Sequence, residues 1–472
     1  MVNESAISSE RRSGVTWPAG AAYVRRNENR ADMSAATPQE SSGFTIGSKV
    51  WTPRRRNGVV AILCLVAVFN YIDRQIVSML IQPIKETFGV SDTVMGLLAG
   101  LVFAGCYATM SIPLAWLSDR FDRRRVLAAC VIVWSVMTSL GGVAQAFWQL
   151  AATRIGVAAA ESGGVPASHA IISDLYPLTS RGRAIGVLSS AQSLGIGLGV
   201  LLGGLLLQAF DWRVSFFIVG APGVLLAIVL LMLPDIPRGM ADGRVQPAAP
   251  THFGVTLRTL WRMPSYRCLV LTIGLAALPG YGTLIWGPTF LIRVHHLPPG
   301  VVGATFGIAI AASLICGNML GGLLADRAGR RDLRGYLWVA GAGPLVATPL
   351  LIGFTAAPTL WLAIPCLFLG MMLLTVHVPT GYTLGQTLAP PHMRASASVF
   401  MGLASVFVGT GIAPLIIGAL SDFMTPRFGD LAVRHSLAIM CLTSALPAIP
   451  AFIGAVWVRR DHALTVAAKE ST

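Results

Sequence analysis

Twelve apolar segments set the pattern of this chain. They run at about 58–82, 93–117, 126–147, 149–173, 184–207, 213–233, 268–292, 300–325, 335–354, 359–385, 397–421 and 435–458, with short polar loops between them. Each is close to the roughly 20 residues that a helix needs to cross a bilayer. Gly and Pro interrupt many of them, which membrane helices tolerate where neighbouring groups satisfy the freed backbone. The pattern predicts an all-α membrane protein of twelve transmembrane helices. Polar residues 1–56 carry no apolar run and read as a disordered cytoplasmic tail. Residues 57–233 read as a first six-helix bundle, 234–267 as a Pro- and Arg-rich cytoplasmic linker, 268–460 as a second bundle and 461–472 as a short tail.

A short phrase marks the two halves as copies of each other. Asp119-Arg120-Phe121-Asp122-Arg123-Arg124 recurs as Asp326-Arg327-Ala328-Gly329-Arg330-Arg331, each time between the second and third apolar segments of its half. A basic turn repeated in register implies two pseudo-symmetric bundles, the build of a transporter that rocks one half against the other. Asp119, Arg120 and Arg124, with Asp326, Arg327, Arg330 and Arg331, are the expected gating loops. Their Arg side chains can pair with acids on a neighbouring helix end when one side is shut, and release on opening. Asp119 and Asp326 can orient those Arg residues or accept from a helix N-terminus.

Composition agrees with a membrane location. Hydrophobic residues make up 54% and charged residues 12% of the chain, against about 25% charged in soluble domains. The net charge of +14 does not point to a nucleic-acid partner, because the Arg residues sit in short loops where they set topology. Their bias toward alternate loops, with Arg54-Arg55-Arg56 before the first segment and Arg459-Arg460 after the last, places both termini in the cytoplasm, as expected for a bacterial inner-membrane protein. The seven Cys form no CxxC pair. No GxxxxGK[ST] loop is present, which disfavours ATP-driven transport. No ordered Ser/His/Asp or metal-ligand set stands out, so neither an enzyme nor a cofactor is expected. The partners are a small-molecule substrate, protons and lipid, and a monomer suffices.

Among 21 acidic residues, only Asp73 and Glu161 fall at membrane depth, where a charge costs about 2.5–3.5 kcal/mol on insertion scales. Arg74 adjoins Asp73. Arg154 precedes Glu161 by seven residues, close to two turns, so the two share a helix face. The first and fourth segments can thus form a buried ionic cluster, with Asp73 and Glu161 as proton-coupling groups and Arg74 and Arg154 as ionic partners or substrate-anion ligands. Protonation that breaks the cluster would couple proton binding to rocking; a static network that glues two helices is the alternative. The second half has no acid at comparable depth, which points to an ionic first half and an apolar, substrate-shaping second half. Tyr281, Trp286, Asn318 and His377 are candidate cavity residues. The glycines at 195, 197, 199, 203 and 204 suit close helix packing. Asp422, at the outer end of the eleventh segment, reads as solvated.

These motifs resemble the major facilitator superfamily over roughly 58–460. The second basic loop, Gly322 through Arg331, matches that family's signature of glycine, three residues and Asp-Arg-x-Gly-Arg-Arg; in the first copy Ala115 and Asp122 replace the two glycines. Within the superfamily the chain is similar to the spinster-like branch, through Asn70-Tyr71-Ile72-Asp73-Arg74-Gln75, Pro83-Ile84-Lys85, Ser91-Asp92-Thr93, Ala160-Glu161-Ser162, Ile172-Ser173-Asp174-Leu175-Tyr176-Pro177, Trp212-Arg213 and Gly411 to Asp422. That family's usual Gly-Glu-Ala is Ala160-Glu161-Ser162 here. The resemblance implies proton sensing and conformational coupling at Asp73, Arg74 and Glu161. It further implies secondary active transport of an amphipathic or anionic organic molecule. A proton-driven uptake symporter for carboxylates, a drug or lipid exporter and, remotely, a non-transporting membrane sensor are the alternatives.

Overall fold

The computed structural model describes residues 44–46, 49–236, 253–329, 331–390 and 393–470. It divides into a unit ending at Pro53 and a unit spanning Arg54–Thr472. The described part of the first is a short antiparallel hairpin, β1 (Phe44–Ile46) paired with β2 (Lys49–Trp51); residues 1–43, which carry most of the expected disordered tail, lie outside the described residues.

The second unit is helical throughout. In chain order it comprises α1 (Pro53–Phe88), α2 (Asp92–Leu97), α3 (Phe103–Arg120), α4 (Arg123–Gly141), α5 (Phe147–Glu161), α6 (Gly164–Leu175), α7 (Leu178–Ala209), α8 (Trp212–Met232) and α9 (Phe253–Trp261). The second half follows with α10 (Pro264–His295), α11 (Pro299–Gly329), α12 (Arg334–Ala356), α13 (Leu360–Thr375), α14 (His377–Leu388), α15 (Arg394–Ala404), α16 (Ala413–Phe428), α17 (Ala432–Leu442) and α18 (Ala448–Glu470). Ten of these stretches are long and apolar enough to cross a membrane by length and composition. Counted as spans they are twelve: α5 and α6 form one span broken in the middle, and the stretch Ser396–Thr465 contains the eleventh and twelfth. The repeated halves make two six-helix bundles.

The broken spans have a covalent cause. Proline has no N–H to give to the carbonyl four residues earlier and clashes with it. Pro166 stands four residues after Ser162, and Pro379 four after Thr375. The fourth span accordingly breaks at Ser162–Gly163 and the tenth at Val376. The second and eleventh spans are deformed differently. Each contains a π-helical stretch, Leu98–Val102 and Ser405–Ile412. The two stretches meet: a Cβ on Gly100 would lie 2.6 Å from the Gly411 carbonyl oxygen. Such bulges inside α-helices are frequent at functional sites.

Glycines in the fifth span sort by face. Gly195, Gly199 and Gly203, spaced by four, lie against Val68, Ile72 and Met79 of α1. Gly197 and Gly204, seven apart, lie against Ala311 and Gly303 of α11 in the other bundle. One helix thus packs tightly on its own bundle and on the opposite one through two different small-residue faces.

Two expectations about the edges change. The stretch 234–267 contains an amphipathic helix, α9, whose Thr256 and Leu260 are fully buried, and the seventh span already begins at Pro264. The last helix does not stop at 460. Asp461 is buried and accepts from the Ser265 backbone N–H at 2.9 Å and its hydroxyl at 2.6 Å. It satisfies donors that the start of α10 leaves open, and α18 runs on to Glu470.

Candidate functional site

The first and fourth spans meet in a square of four charges. Arg74 donates to Glu161 Oε2 through Nη2 at 3.0 Å and Nε at 3.3 Å. Arg154 donates to Asp73 Oδ1 at 3.0 Å, and the Thr138 hydroxyl donates to Asp73 Oδ2. Each ion pair therefore joins the two spans, and none forms within a span. The two corners differ. Asp73 and Arg154 are both about 5% exposed or less, and both Asp73 oxygens have donors. Glu161 is fully buried, yet its Oε1 has no protein partner. It ends α5 at the break, where the helix path stops constraining its neighbours.

Arg74 faces a cleft between the bundles. Its guanidinium lies over three rings, Tyr71 at 5.1 Å, Phe103 at 4.9 Å and Tyr107 at 4.9 Å. A cation held by aromatic faces and one carboxylate keeps its charge in a water-poor setting. Arg74, Gln75 and Arg154 line one side of the cleft, and Tyr281, Ile285 and Thr410 the other. The Gln75 side chain crosses to the second bundle and donates to the Leu284 carbonyl at 3.3 Å. The cleft thus offers two paired cations, Arg74 with Glu161 and Arg154 with Asp73, set among aromatic and aliphatic surface.

Of the four residues expected at a cavity, Tyr281 lines this cleft. Trp286 does not: it is fully buried, and its indole N–H donates to the Pro414 carbonyl at 3.0 Å. An indole anchored to a neighbouring helix is packing, not lining. His377 is buried with Nδ1 2.5 Å from the Leu374 carbonyl oxygen, at the break of the tenth span. Asn318 is half-buried on α11, away from the residues that line the cleft.

The basic loops hold their own bundles together. Asp122, not Asp119, caps α4, accepting from the Arg124 N–H at 2.9 Å. In the second copy Asp332, not Asp326, takes the matching role, accepting from the Arg334 N–H at 3.1 Å. The reason is distance along the chain: Asp119 and Asp326 still lie within the last turn of the preceding helix. Arg123 reaches Asp174 at the end of α6, Arg124 pairs with Asp122 at 2.9 Å, and Arg120 lies over the Trp116 ring. Asp332 pairs with Arg459 of α18 at 2.6 Å. Asp326, Arg327 and Arg331 lie in or beside the last turn of α11, and Arg330 falls outside the described residues.

A second network lies at the opposite end of the bundles and ties the halves to each other. Asp92, fully buried at the start of α2, receives Arg293 in a fork at 2.7 and 2.8 Å, Lys85 at 2.7 Å and the Ser421 hydroxyl at 2.7 Å. Asp422 accepts from the backbone N–H groups of Asp92 and Thr93 at 3.0 and 2.7 Å. Asp422, expected to be solvated, is half-buried and caps a helix of the other bundle, whose first N–H groups have no partner of their own. At this end Gly96 and Gly418 also seat α2 and α16 backbone to backbone. The Asp92 network thus ties the two halves together at this end.

Two pseudo-symmetric bundles, broken spans and a polar cleft between the halves define a multi-pass membrane transporter. Residues 63–414 match the Major Facilitator Superfamily, and the chain belongs to that family, whose members transport molecules and are not enzymes. It is 34% identical over 414 residues to an MFS-type efflux pump of Mycolicibacterium smegmatis, covering 87% of this chain and 95% of that one. It is 28% identical over 441 residues to protein spinster homolog 1 of Bos taurus, covering 86% and 81%. Among solved structures it is similar to a bacterial homologue of the human lysosomal transporter Spinster in an inward-facing, unoccupied conformation. The TM-score is 0.79 at 28% identity, over 87% of this chain and 99% of that one. The spinster-like resemblance read from the sequence is borne out.

Proposed function

We propose that this transporter is secondary active and proton-coupled, moving an amphipathic or anionic organic molecule by alternating access. The observation that carries the reading is the Glu161 carboxylate: one oxygen bound to Arg74, the other buried and without a partner. A carboxylate in that setting can take a proton on the free oxygen. It then loosens its grip on Arg74, which faces the cleft and can receive a substrate anion instead. Asp73 is the second protonatable group in rank, since both its oxygens are occupied and Arg154 holds it. The Arg bias supports a reading in which the basic loops and both termini face the cytoplasm of a bacterial inner membrane, and the carrier is read as functional as a monomer.

The test is reconstitution in proteoliposomes with a pH dye inside and lysolipids, bile-acid-like amphiphiles and aromatic carboxylates added outside. Wild-type protein should move protons only with a substrate, and Glu161→Gln should lose that signal while still exchanging substrate down its gradient. A Glu161→Gln variant that keeps substrate-driven proton movement would show the coupling assignment to be wrong. A second reading, export rather than uptake, is supported by the similarity to a protein named as an efflux pump; the sign of the pH change decides between the two.

A further inference from the structure

A second recess lies wholly within the first bundle, where α1, α6 and α7 meet. It is lined by Val66, Asn70, Gly164, Ser168, Leu188 and Gln192, with Tyr71 at its edge, and has room for about one small polar group. No charged residue lines it. Asn70 is 4% exposed, and its side-chain Nδ2 has no hydrogen-bond partner in the protein. Leaving a buried amide nitrogen unpaired costs about 1–3 kcal/mol, a cost that a group from outside the chain, a water or a substrate acceptor, would remove. Gly164 borders the recess beside this nitrogen, where an added Cβ would make only ordinary contacts, 3.7 Å from the Trp134 ring and 3.9 Å from Asn70 Nδ2.

The recess adjoins the anion site. Asn70 and Arg74 are four residues apart on α1 and share a face, about 6 Å along the axis. Tyr71 is the wall between them, lining the recess on one side and lying beneath the Arg74 guanidinium on the other. We infer that Asn70, Ser168 and Gln192 form a subsite for a neutral hydrogen-bonding group, a hydroxyl or an amide, carried by the substrate about one helical turn from its acid group. This inference rests on the reading that Arg74 takes the substrate's anionic group. A lining of amides and a hydroxyl set in aliphatic walls favours such a group, because a second charge would be buried without a counter-ion. The substrate class that follows is a hydroxylated or amide-bearing amphipathic acid, in preference to a plain fatty acid or an aromatic carboxylate.

The test uses three probes on the full chain in nanodiscs, read by calorimetry with empty discs subtracted: dodecanoate, 5-hydroxydodecanoate and 12-hydroxydodecanoate. Wild-type protein should bind the 5-hydroxy acid about tenfold more tightly than the other two, the worth of one well-made hydrogen bond. Asn70→Ala should erase that preference and leave dodecanoate unchanged. Arg74→Gln should weaken all three while keeping their ranking. Equal affinity of the wild type for the three, or no binding of any, overturns the subsite. An Arg74→Gln protein that binds all three as before overturns the anion reading instead, so the two failures are distinct. The unliganded melting temperature is a second check. An amide without a protein partner contributes nothing to hold the fold, so Asn70→Ala should match or exceed the wild type. A lowered melting temperature would mean that Asn70 is structural, and would overturn the subsite.

Discussion

The fourth and tenth spans are the same device built twice with opposite chemistry. Aligned on Pro166 and Pro379, Glu161 corresponds to Leu374 and Arg154 to Leu367; all four are buried. In the first bundle the broken span is held to its neighbour by two ion pairs. In the second, the polar groups near the break are satisfied locally: Thr375 donates to Met371, Thr380 to Val376, and His377 meets Leu374. The break itself is therefore a matter of backbone and proline. What the first bundle adds is charge, which is costly at membrane depth and sensitive to protons. On the proposed proton-coupled reading, a symmetric carrier needs such a sensor in one half only, and the other half can act as the apolar wall against which it moves.

The sharpest way to break this comparison is to strand one charge. Arg154→Ala leaves Asp73 buried with Thr138 as its one remaining donor. Removing one member of a buried pair typically costs about 3–5 kcal/mol, so the unfolding midpoint should fall steeply. Asp73→Asn combined with Arg154→Gln should cost less than Arg154→Ala alone. Glu161→Leu, which copies Leu374, should be milder, because Arg74 lies at the cleft with three aromatic faces around it and can be hydrated. A loss under about 1 kcal/mol for Arg154→Ala would make the square ornamental rather than structural.

The next effect acts on conformation. Asp92→Asn weakens the fork to Arg293 and the contact with Lys85, charge-assisted bonds worth about 1.5–3 kcal/mol. It should shift the balance away from the state closed at that end by roughly 10–100-fold. Spin labels at exposed Glu86 and Arg427, in a background without native Cys, would report a longer distance in the variant. An unchanged distance distribution would mean that the small-residue contacts of α2 with α16 and of α7 with α11 hold that end shut without the network.

The legible and illegible parts of this site differ for a physical reason. Asp73, Arg74, Arg154 and Glu161 stand out because a charge inside an apolar run is rare and must be matched. Sequence spacing placed Arg154 and Glu161 on one face but left their partners open, since pairing depends on how two helices are rotated against each other. The Asp92 network was not legible at all. Lys85, Asp92, Arg293 and Asp422 sit at span ends, where charge is ordinary, and they acquire meaning only when four helices from two bundles converge. Trp286 misled for the converse reason: an indole in a membrane span suits a cavity or a core equally until its N–H partner is known. The breaks beside Pro166 and Pro379 were not readable from proline alone, because Pro113, Pro222, Pro279, Pro288, Pro344, Pro349 and Pro365 lie inside helices that continue.

A smaller effect should follow from His377. The one hydrogen bond its side chain makes is to the Leu374 carbonyl oxygen, so His377→Gln, which can still donate there, should change stability by less than about 1 kcal/mol. It should also leave the pH dependence of transport where it is. A shifted pH profile would place a titrating group in the second bundle and end the division of labour argued above.

The smallest expected effect lies at the basic loops, where the halves also differ. Arg123 of the first copy is tied to Asp174 within its bundle; the second copy is tied by Asp332 to Arg459 of the last helix. The Arg459 hydrogen bonds hold the Asp332 carboxyl below the ordinary carboxylate range, helped by the Arg334 N–H. A group whose folded pKa is depressed adds stability above its unfolded value, about 3.9, and loses it as pH falls through the folded value. Asp332→Asn should therefore be slightly less stable than wild type at pH 7, with the gap narrowing as pH drops below about 4. Because the pair is open to solvent, salt should narrow the gap as well. A gap that persists in acid would assign the role of Asp332 to capping α12 rather than to its bond with Arg459, and would make the two basic loops alike after all.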